Sequence, residues 1–294
     1  MSKLNILCDL CIRHLLDNEW IDYYLLAGSS NRWIPAMICT ILHDFDHASI
    51  QSKRKKIATQ LIDTNPSHYP IGYSNQTPSD CDSSTWLLRC LLSIGVTPPD
   101  HLYEYISNHS VGLGYSTYTQ IDGIDRYIGV DPANCCGWLS THDCVTLNVR
   151  SAIENGAHDA LLQDSFTPYW WADPLIPILL CLNKPISIST LKKLQSRRTN
   201  LILPGRWERY RRFSDLLLSM LMSDSHNHEI LYAEPKEVFY DFGCIMQLPM
   251  PNCVSTLNQD LLWDYGGIMQ GARVVDVNRI VSAALFLKVY SDVI

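Results

Sequence analysis

The chain of 294 residues is 47% hydrophobic and 18% charged, enough apolar material for one large core or two modest ones. A net charge of −7 and a pI near 5.8 leave no basic footprint of the kind that neutralises phosphates, which argues against nucleic acid as a partner. Eleven cysteines, odd in number and scattered over apolar stretches behind an N-terminus without signal-peptide character, read as reduced thiols of a cytoplasmic protein, not as a disulfide framework.

Apolar residues at helical spacing predict helices over Leu4–Leu16, Trp33–Leu42, Ile50–Ile62, Trp86–Ile94, Val145–Ile153, Pro174–Leu182, Leu191–Arg198, Phe213–Met222 and Val277–Val289. In the first, Cys8-x-x-Cys11 has metal or redox spacing, but no second pair or nearby His pair completes a set, so both are expected to be core residues. On the third, Lys53-Arg54-Lys55-Lys56 is expected to be a solvated face. Strand signals are sparse. Turn clusters at Asp63-Thr-Asn-Pro66, Thr97-Pro-Pro-Asp100 and Asn183-Lys-Pro185 separate the helices, and none is long enough to be an interdomain linker. One domain over residues 1–294 is therefore expected, although the length would permit two. No apolar run reaches the roughly 18 to 20 residues of a membrane span, so the protein is expected to be soluble or peripheral to a membrane.

A weak repetition runs through NRWIPAMICTIL from Asn31, DSSTWLLRCLL from Asp82, DCVTLNVRSAI from Asp143, DPLIPILLCL from Asp173 and DVNRIVSAALFL from Asp276. Each opens on a polar or acidic capping residue and runs through small and branched residues into leucines. Other helices are inserted between them. Such alternation suits two concentric layers, an inner ring whose N-terminal ends point at one cavity and an outer ring that covers it. Twelve helices would take about 24 residues each including turns, which matches short helices and short connections. The expected fold is all-α, an (α/α)6 barrel or toroid.

The stretch Pro78-Ser79-Asp80-Cys81-Asp82-Ser83-Ser84-Thr85-Trp86 sets two carboxylates in front of a leucine-rich helix. Capping alone would select Asp, Ser and Thr there. Three further segments follow in order: Gly114-Tyr-Ser-Thr-Tyr118, then Gly137-Trp138 with Asp143-Cys-Val-Thr-Leu-Asn148, then Tyr169-Trp-Trp-Ala-Asp-Pro174. Together these resemble the class II terpene cyclases, the squalene-hopene cyclase-like group, whose Asp-x-Asp-Asp-Thr segment opens an inner helix of such a toroid. Full-sized members carry two such domains. With room for one, the chain is most similar to the single-domain meroterpenoid branch that cyclises prenylated aromatic acids, the merosterolic acid synthase type.

The resemblance implies a proton donor at Asp82, with Asp80 on the family's first aspartate and Asn148 where members place a histidine or asparagine opposite the acid. Ser83 stands where longer enzymes have a further aspartate. Leu175 and Ile176 stand where the family has aromatic residues, and the repeated Gln-Trp motifs are missing. Protonating an alkene or opening an epoxide needs a carboxyl group that stays neutral near pH 7. A helix N-terminus favours the anion by up to ~2 kcal/mol, whereas burial and a neighbouring carboxylate push the other way by up to ~3 to 5 pKa units. The resulting cation is steered by aromatic faces, each worth roughly 0.5 to 2 kcal/mol when desolvated, for which Trp33, Trp86, Tyr115, Tyr118, Trp138, Trp170 and Trp171 are candidates. Any of these could equally be plain core.

The resemblance implies an isomerase of isoprenoid biosynthesis that needs no cofactor and no metal. Its partner would be a hydrophobic isoprenoid or prenylated aromatic substrate, drawn from a membrane or a carrier through an apolar rim. Class I terpene chemistry would need acidic magnesium clusters, and the sequence has no DDxxD. GxSxG, GxxxxGK[ST] and GxGxxG are absent too, and the adjacent His142 and Asp143 diverge on one helix turn. Arg206, Arg209, Arg211 and Arg212 could hold an anionic head group or form a solvated helix face. Two alternatives stand beside the cyclase: a non-catalytic α/α toroid that binds a lipid or peptide, and a prenyltransferase-like subunit for which Asp241 and Cys244 could offer part of a zinc site.

Overall fold

In the computed structural model the described residues are 2–25, 28–63, 69–120, 138–153, 171, 173–182, 186–198, 208–222, 234–247, 262–265 and 268–293. The helices are α1 (Lys3–Asp17), α2 (Trp33–Ile41), α3 (Ala48–Asp63), α4 (Cys81–Ser93), α5 (Asp100–Ser107), α6 (Asp143–Ile153), α7 (Leu175–Cys181), α8 (Ile188–Arg198), α9 (Glu208–Met222), α10 (Pro235–Tyr240) and α11 (Ile280–Val293). Between them lie short antiparallel strands: β1 (Asp22–Leu25) with β2 (Gly28–Ser30), β3 (Ser110–Val111) with β4 (Gly114–Tyr115), and β7 (Ile268–Val275) flanked by β5 (Ile245–Gln247) and β6 (Leu262–Tyr265).

Burial sorts the helices into two layers. A helix that is apolar all round must be enclosed, whereas one with an apolar stripe can face water on its other side. Every residue of α2 and α7 is buried, as are Cys81 to Leu91 of α4, Cys144 to Val149 of α6 and Ile280 to Leu287 of α11. By contrast α1 buries one stripe, Leu4, Leu7, Cys8, Cys11 and Leu15, and α5 buries Leu102 and Ile106. Helices α2, α4, α6, α7, α9 and α11 each pack on the next and α11 returns to α2, which closes a ring. Outside it, α3 covers α2 and α4, α5 covers α4, α8 covers α9, and α1 covers α11 with α10 beside it. The alternation of inner and outer helices along the chain is the expected all-α toroid.

Local chemistry fixes the inner helices at their N-terminal ends. Asp80 caps α4 and Asp173 accepts from Leu175 N at 2.9 Å at the start of α7. At α11, Asp22 accepts from Ile280 N at 3.2 Å and Asp276 from Ser282 N at 2.8 Å. Each carboxylate satisfies backbone donors that would otherwise be orphaned inside the fold.

The basic run on α3 departs from the solvated face expected of it. Arg54 is 2% exposed and donates to Cys39 O at 2.9 Å and Ser93 O at 2.8 Å, with His43 Nδ1 2.7 Å away. Lys53 donates to Leu15 O, Leu16 O and Asn18 O at the C-terminal end of α1. Orphan carbonyls at helix ends draw these cations inward, and α3 touches such ends on both sides. Lys55 and Lys56 stay exposed. The Cys8 and Cys11 thiols are buried and free, as core packing requires.

Candidate active site

The site begins with the cap of α4. Asp80 has extended backbone, and its Oδ1 accepts from Ser83 N at 2.7 Å while its Oδ2 accepts from Ser83 Oγ at 2.7 Å. Ser83 thus closes the cap on Asp80. The preceding loop is tied to the same turn: Asp80 N donates to Ile71 O, and Ser84 Oγ both accepts from Ile71 N and donates to Ile71 O. Only glycine serves at position 72, because a Cβ there would strike the carbonyl of Pro78.

Two residues into α4, Asp82 turns its carboxyl into the ring and is 7% exposed. Its Oδ2 accepts from Trp33 Nε1 at 3.0 Å and its Oδ1 from Asn148 Nδ2 at 2.8 Å. Burial pushes the group up from the ordinary carboxylate value to about 6, against the downward pull of those two donors and of the Arg89 charge. Asp80 goes further, to about 7, chiefly through burial and against its bonds to Ser83, with the Asp82 charge adding to the rise. Dryness therefore outweighs both the hydrogen bonds and the helix dipole for this pair.

Aromatic rings gather on the Trp33 side. Its centroid lies 6.1 Å from that of Tyr23, 5.9 Å from Tyr73 and 6.0 Å from Trp171, and Tyr23 meets Trp171 edge-on at 6.1 Å. Tyr23 has φ +51°, a conformation held by its N–H on Asp22 Oδ1 and its hydroxyl on Cys244 O, both at 2.9 Å. The Tyr73 hydroxyl donates to Tyr23 O. These are electron-rich faces packed beside a buried acid.

The residues expected from the sequence fall into three groups. Asp80, Asp82, Asn148, Trp33 and Trp171 come together. Trp86 lies on α4 with the Arg89 guanidinium 4.4 Å above its ring. Tyr118 stacks on Trp138 at 5.5 Å and an interplanar angle of 10°, joined to the acid motif by Cys81 N donating to Thr117 O, while Tyr115 N donates to Thr146 Oγ1 of α6. Trp170 lies outside the described residues. Leu175 and Ile176 are buried.

Tyr23, Tyr73 and Arg89 were not singled out in the sequence. The tyrosines sit on a strand and a loop with no periodicity to betray them, whereas an arginine inside a leucine-rich helix was a readable signal. Arg211 and Arg212 face Asp215 and Asp241 at the surface, Arg206 lies outside the described residues, and nothing of the Arg209 side chain is described. Asp241 is thus engaged by Arg212, and the Cys244 sulfur accepts from Ser282 Oγ at 3.4 Å. Among the described residues no group of His, Cys, Asp and Glu is arranged to hold a metal ion. No described helix is long and apolar enough to cross a membrane.

The architecture is the fold of the type II terpene cyclases. The apo structure of one of these, MstE from Scytonema, superposes with a TM-score of 0.71 over 99% of each chain at 17% identity. A variant of MstE in complex with geranylgeranyl dihydroxybenzoate, its substrate, gives 0.69 at 16% identity over 99% of this chain and 97% of that one. A protein from Actinoplanes gives 0.70 at 19% identity over 98% of both. No protein-family model matches the sequence, and no curated protein matches it.

Proposed function

We propose that the chain is a proton-initiated terpene cyclase, an isomerase that closes rings in the prenyl chain of a prenylated aromatic acid. The observation that carries this reading is Asp82: a carboxyl group buried in a helical ring, raised to about 6, gripped at each oxygen by a neutral N–H donor and set beside the Trp33 aromatic cluster. Variants of one structural neighbour, MstE, hold geranylgeranyl dihydroxybenzoate as substrate in one structure and merosterolic acid A as product in another, which supports a substrate of that class. The first helix packs on the last, which supports one cyclase domain over residues 1–294.

The chemistry follows from the geometry. Neutral Asp82 delivers its proton to an alkene carbon or epoxide oxygen of the bound chain; a C–H or O–H bond forms as the π or C–O bond breaks, leaving a carbocation. Trp33 and Asn148 are already aimed at the carboxylate that remains, so its stabilisation needs no rearrangement. Faces of Trp33, Trp171, Tyr23 and Tyr73 attract the migrating cation without offering it a nucleophilic lone pair in place of the next double bond. Loss of a proton, or capture by an internal nucleophile, ends the sequence with a product isomeric with the substrate.

Incubation with geranylgeranyl dihydroxybenzoate and shorter polyprenylated acids in deuterated water tests the reading. The expected product is cyclised, of otherwise unchanged formula, and carries one solvent-derived deuterium. A cyclised product without deuterium, or no conversion of any polyprenylated substrate, overturns it.

A further inference from the structure

We infer that Arg89 is a positioning residue that locks the amide of Asn148 with its N–H pair toward Asp82. This inference rests on the cyclase reading for its catalytic consequence, but the locked amide is a property of the chain alone. Arg89 lies two turns beyond Asp82 on α4 and is 4% exposed, an expensive place for a guanidinium unless its donors are used. Its Nη1 donates to Asn148 Oδ1 on α6 at 2.9 Å and its Nη2 to Cys181 O at the end of α7, also at 2.9 Å. Trp86 supports the plane from one side at 4.4 Å. The fork therefore bridges two inner helices while its own helix carries the acid.

An asparagine amide has a donor end and an acceptor end, and its orientation is decided by what surrounds it. Arginine has donors only. With Arg89 against one end of Asn148, the carbonyl oxygen must face the guanidinium, because the reverse would set N–H against N–H. The opposite end is then committed: Nδ2 donates to Asp82 Oδ1 at 2.8 Å. Two results follow for the acid. Asn148 cannot accept the Asp82 proton, so that proton is kept for the substrate. And the donor is in place for the carboxylate before the proton leaves, which is the preorganisation that favours the transition state. A neutral residue at position 89 would let the amide turn and present its oxygen to protonated Asp82.

The Arg89 guanidinium is itself fixed. Lys288 of α11 donates to Leu179 O and Leu182 O at 2.6 and 2.7 Å, so the two cations share the carbonyl-rich end of α7, where the helix dipole favours them. The charged and titratable groups around the acid are Asp80, Cys81 and Arg89 on its own helix and Cys181 from α7, with Lys288 reaching Arg89 from α11.

The test is a double-mutant cycle of Arg89→Met and Asn148→Ala with two readouts. Arg89→Met alone is expected to lower kcat on the order of a hundredfold with little change in KM. In the Asn148→Ala background the same substitution is expected to have a much smaller further effect, that of the lost Arg89 charge on Asp82, because the amide it positions is gone. The second readout needs no turnover: in asparagine-labelled native protein the side-chain N–H pair of Asn148, identified by its loss in Asn148→Ala, should be exchange-protected, and Arg89→Met should abolish that protection. Should Arg89→Met fail to fold, Arg89→Lys takes its place, keeping the charge but holding one of the two oxygens at a time, with the same non-additivity and a smaller loss of rate. Unchanged protection in the Arg89 variants, or an equal fall in kcat with and without Asn148, overturns the inference. Failure of the native chain to cyclise any substrate while the protection is lost as described would instead count against the cyclase reading and leave the locked amide standing.

Discussion

The indole N–H of Trp33 reaches Asp82 Oδ2 at 3.0 Å across the first turns of α2 and α4, so the same ring that faces the aromatic cluster also binds the acid. A donor to the charged form of a carboxyl lowers its pKa, and Trp33 is one of the groups that holds Asp82 down against burial. Trp33→Phe keeps an aromatic face and removes the donor. Asp82 is then neutral over a wider pH range, yet it is a poorer acid, because one of the two groups waiting for its conjugate base is lost. The expected outcome is a kcat lower by on the order of a hundredfold together with an alkaline limb displaced to higher pH. Steady-state rates across pH check both, and a variant with more activity at pH 7 than the native chain would contradict this role of the indole.

The pair of carboxylates also sets the pH profile of the native chain. Only neutral Asp82 can protonate a substrate, and burial brings Asp82 to about 6 and Asp80 to about 7. As pH rises through that window the proton is lost and kcat is expected to fall, tending to a tenfold loss per pH unit on the alkaline side. Because the two groups feel each other, the midpoint belongs to the pair and not to either residue. Product formation at saturating substrate between pH 5 and pH 8.5 gives the profile, and a rate that climbs from pH 6 to pH 8 is incompatible with a carboxylic acid as donor.

The layers of this fold were legible because α2, α4, α6, α7 and α11 are apolar over most of their surface and follow polar or acidic residues, a pattern that depends only on local sequence, whereas α9, with Arg212 and Asp215 exposed, joins the ring through packing alone. So was the acid motif, since Asp80, Asp82 and Ser83 sit within one turn and their hydrogen bonds are local. Asn148 could be placed only through the order of motifs, because its meeting with Asp82 depends on how α4 packs on α6. Tyr23 and Tyr73 were missed for the same reason: they reach Trp33 from a strand and a loop on either side of it, through tertiary contacts that no periodicity encodes. Helix α5, eight residues from Asp100 to Ser107 with only Leu102 and Ile106 buried, is too short for its stripe to stand out. Arg54 and Arg89 share a lesson. A cation in a helix pattern reads as solvated, but carbonyls at the buried ends of neighbouring helices can draw it inside.

Asp82→Asn separates the cyclase from a toroid that binds a lipid or peptide without changing it. The amide has the size of the acid and no proton acidic enough for an alkene, so turnover is expected to fall by at least about a thousandfold, within the range attributed to general acids. Binding of geranylgeranyl dihydroxybenzoate is expected to persist, since the aromatic cluster is untouched. Some stability is expected to be lost, because asparagine offers one acceptor oxygen to the two donors of Trp33 and Asn148 and turns its own N–H pair toward the other. Calorimetric binding alongside product analysis decides the matter: full turnover in the variant would leave the acid without a chemical role.

Asp80 offers a stability test that needs no substrate. Its folded-state value, about 7, lies above the 3.8 expected of the unfolded chain, so the native state holds this proton more tightly than the unfolded state does. A raised carboxyl contributes stability in full below the unfolded value and loses it as pH rises through the folded one, which places the loss between about pH 4 and pH 7. Asp80→Asn keeps the cap, because asparagine serves as well as aspartate at an N-cap, and stays neutral at every pH. The variant is therefore expected to gain on the native chain as pH rises through that window, by on the order of 4 kcal/mol at most, and the difference should level off above pH 7. Taking the difference cancels the titrating groups that do not interact with Asp80, including the buried Asp22 and Asp276, whose raised values act in the same direction, and His14 and His109, whose lowered values oppose them, and leaves Asp80 with its coupling to Asp82. Urea unfolding of both proteins at pH 4.5 and pH 7.5 measures it, and a gap that narrows toward neutral pH would mean that Asp80 is stabilised as the anion and that the acid pair is wetter than its burial indicates.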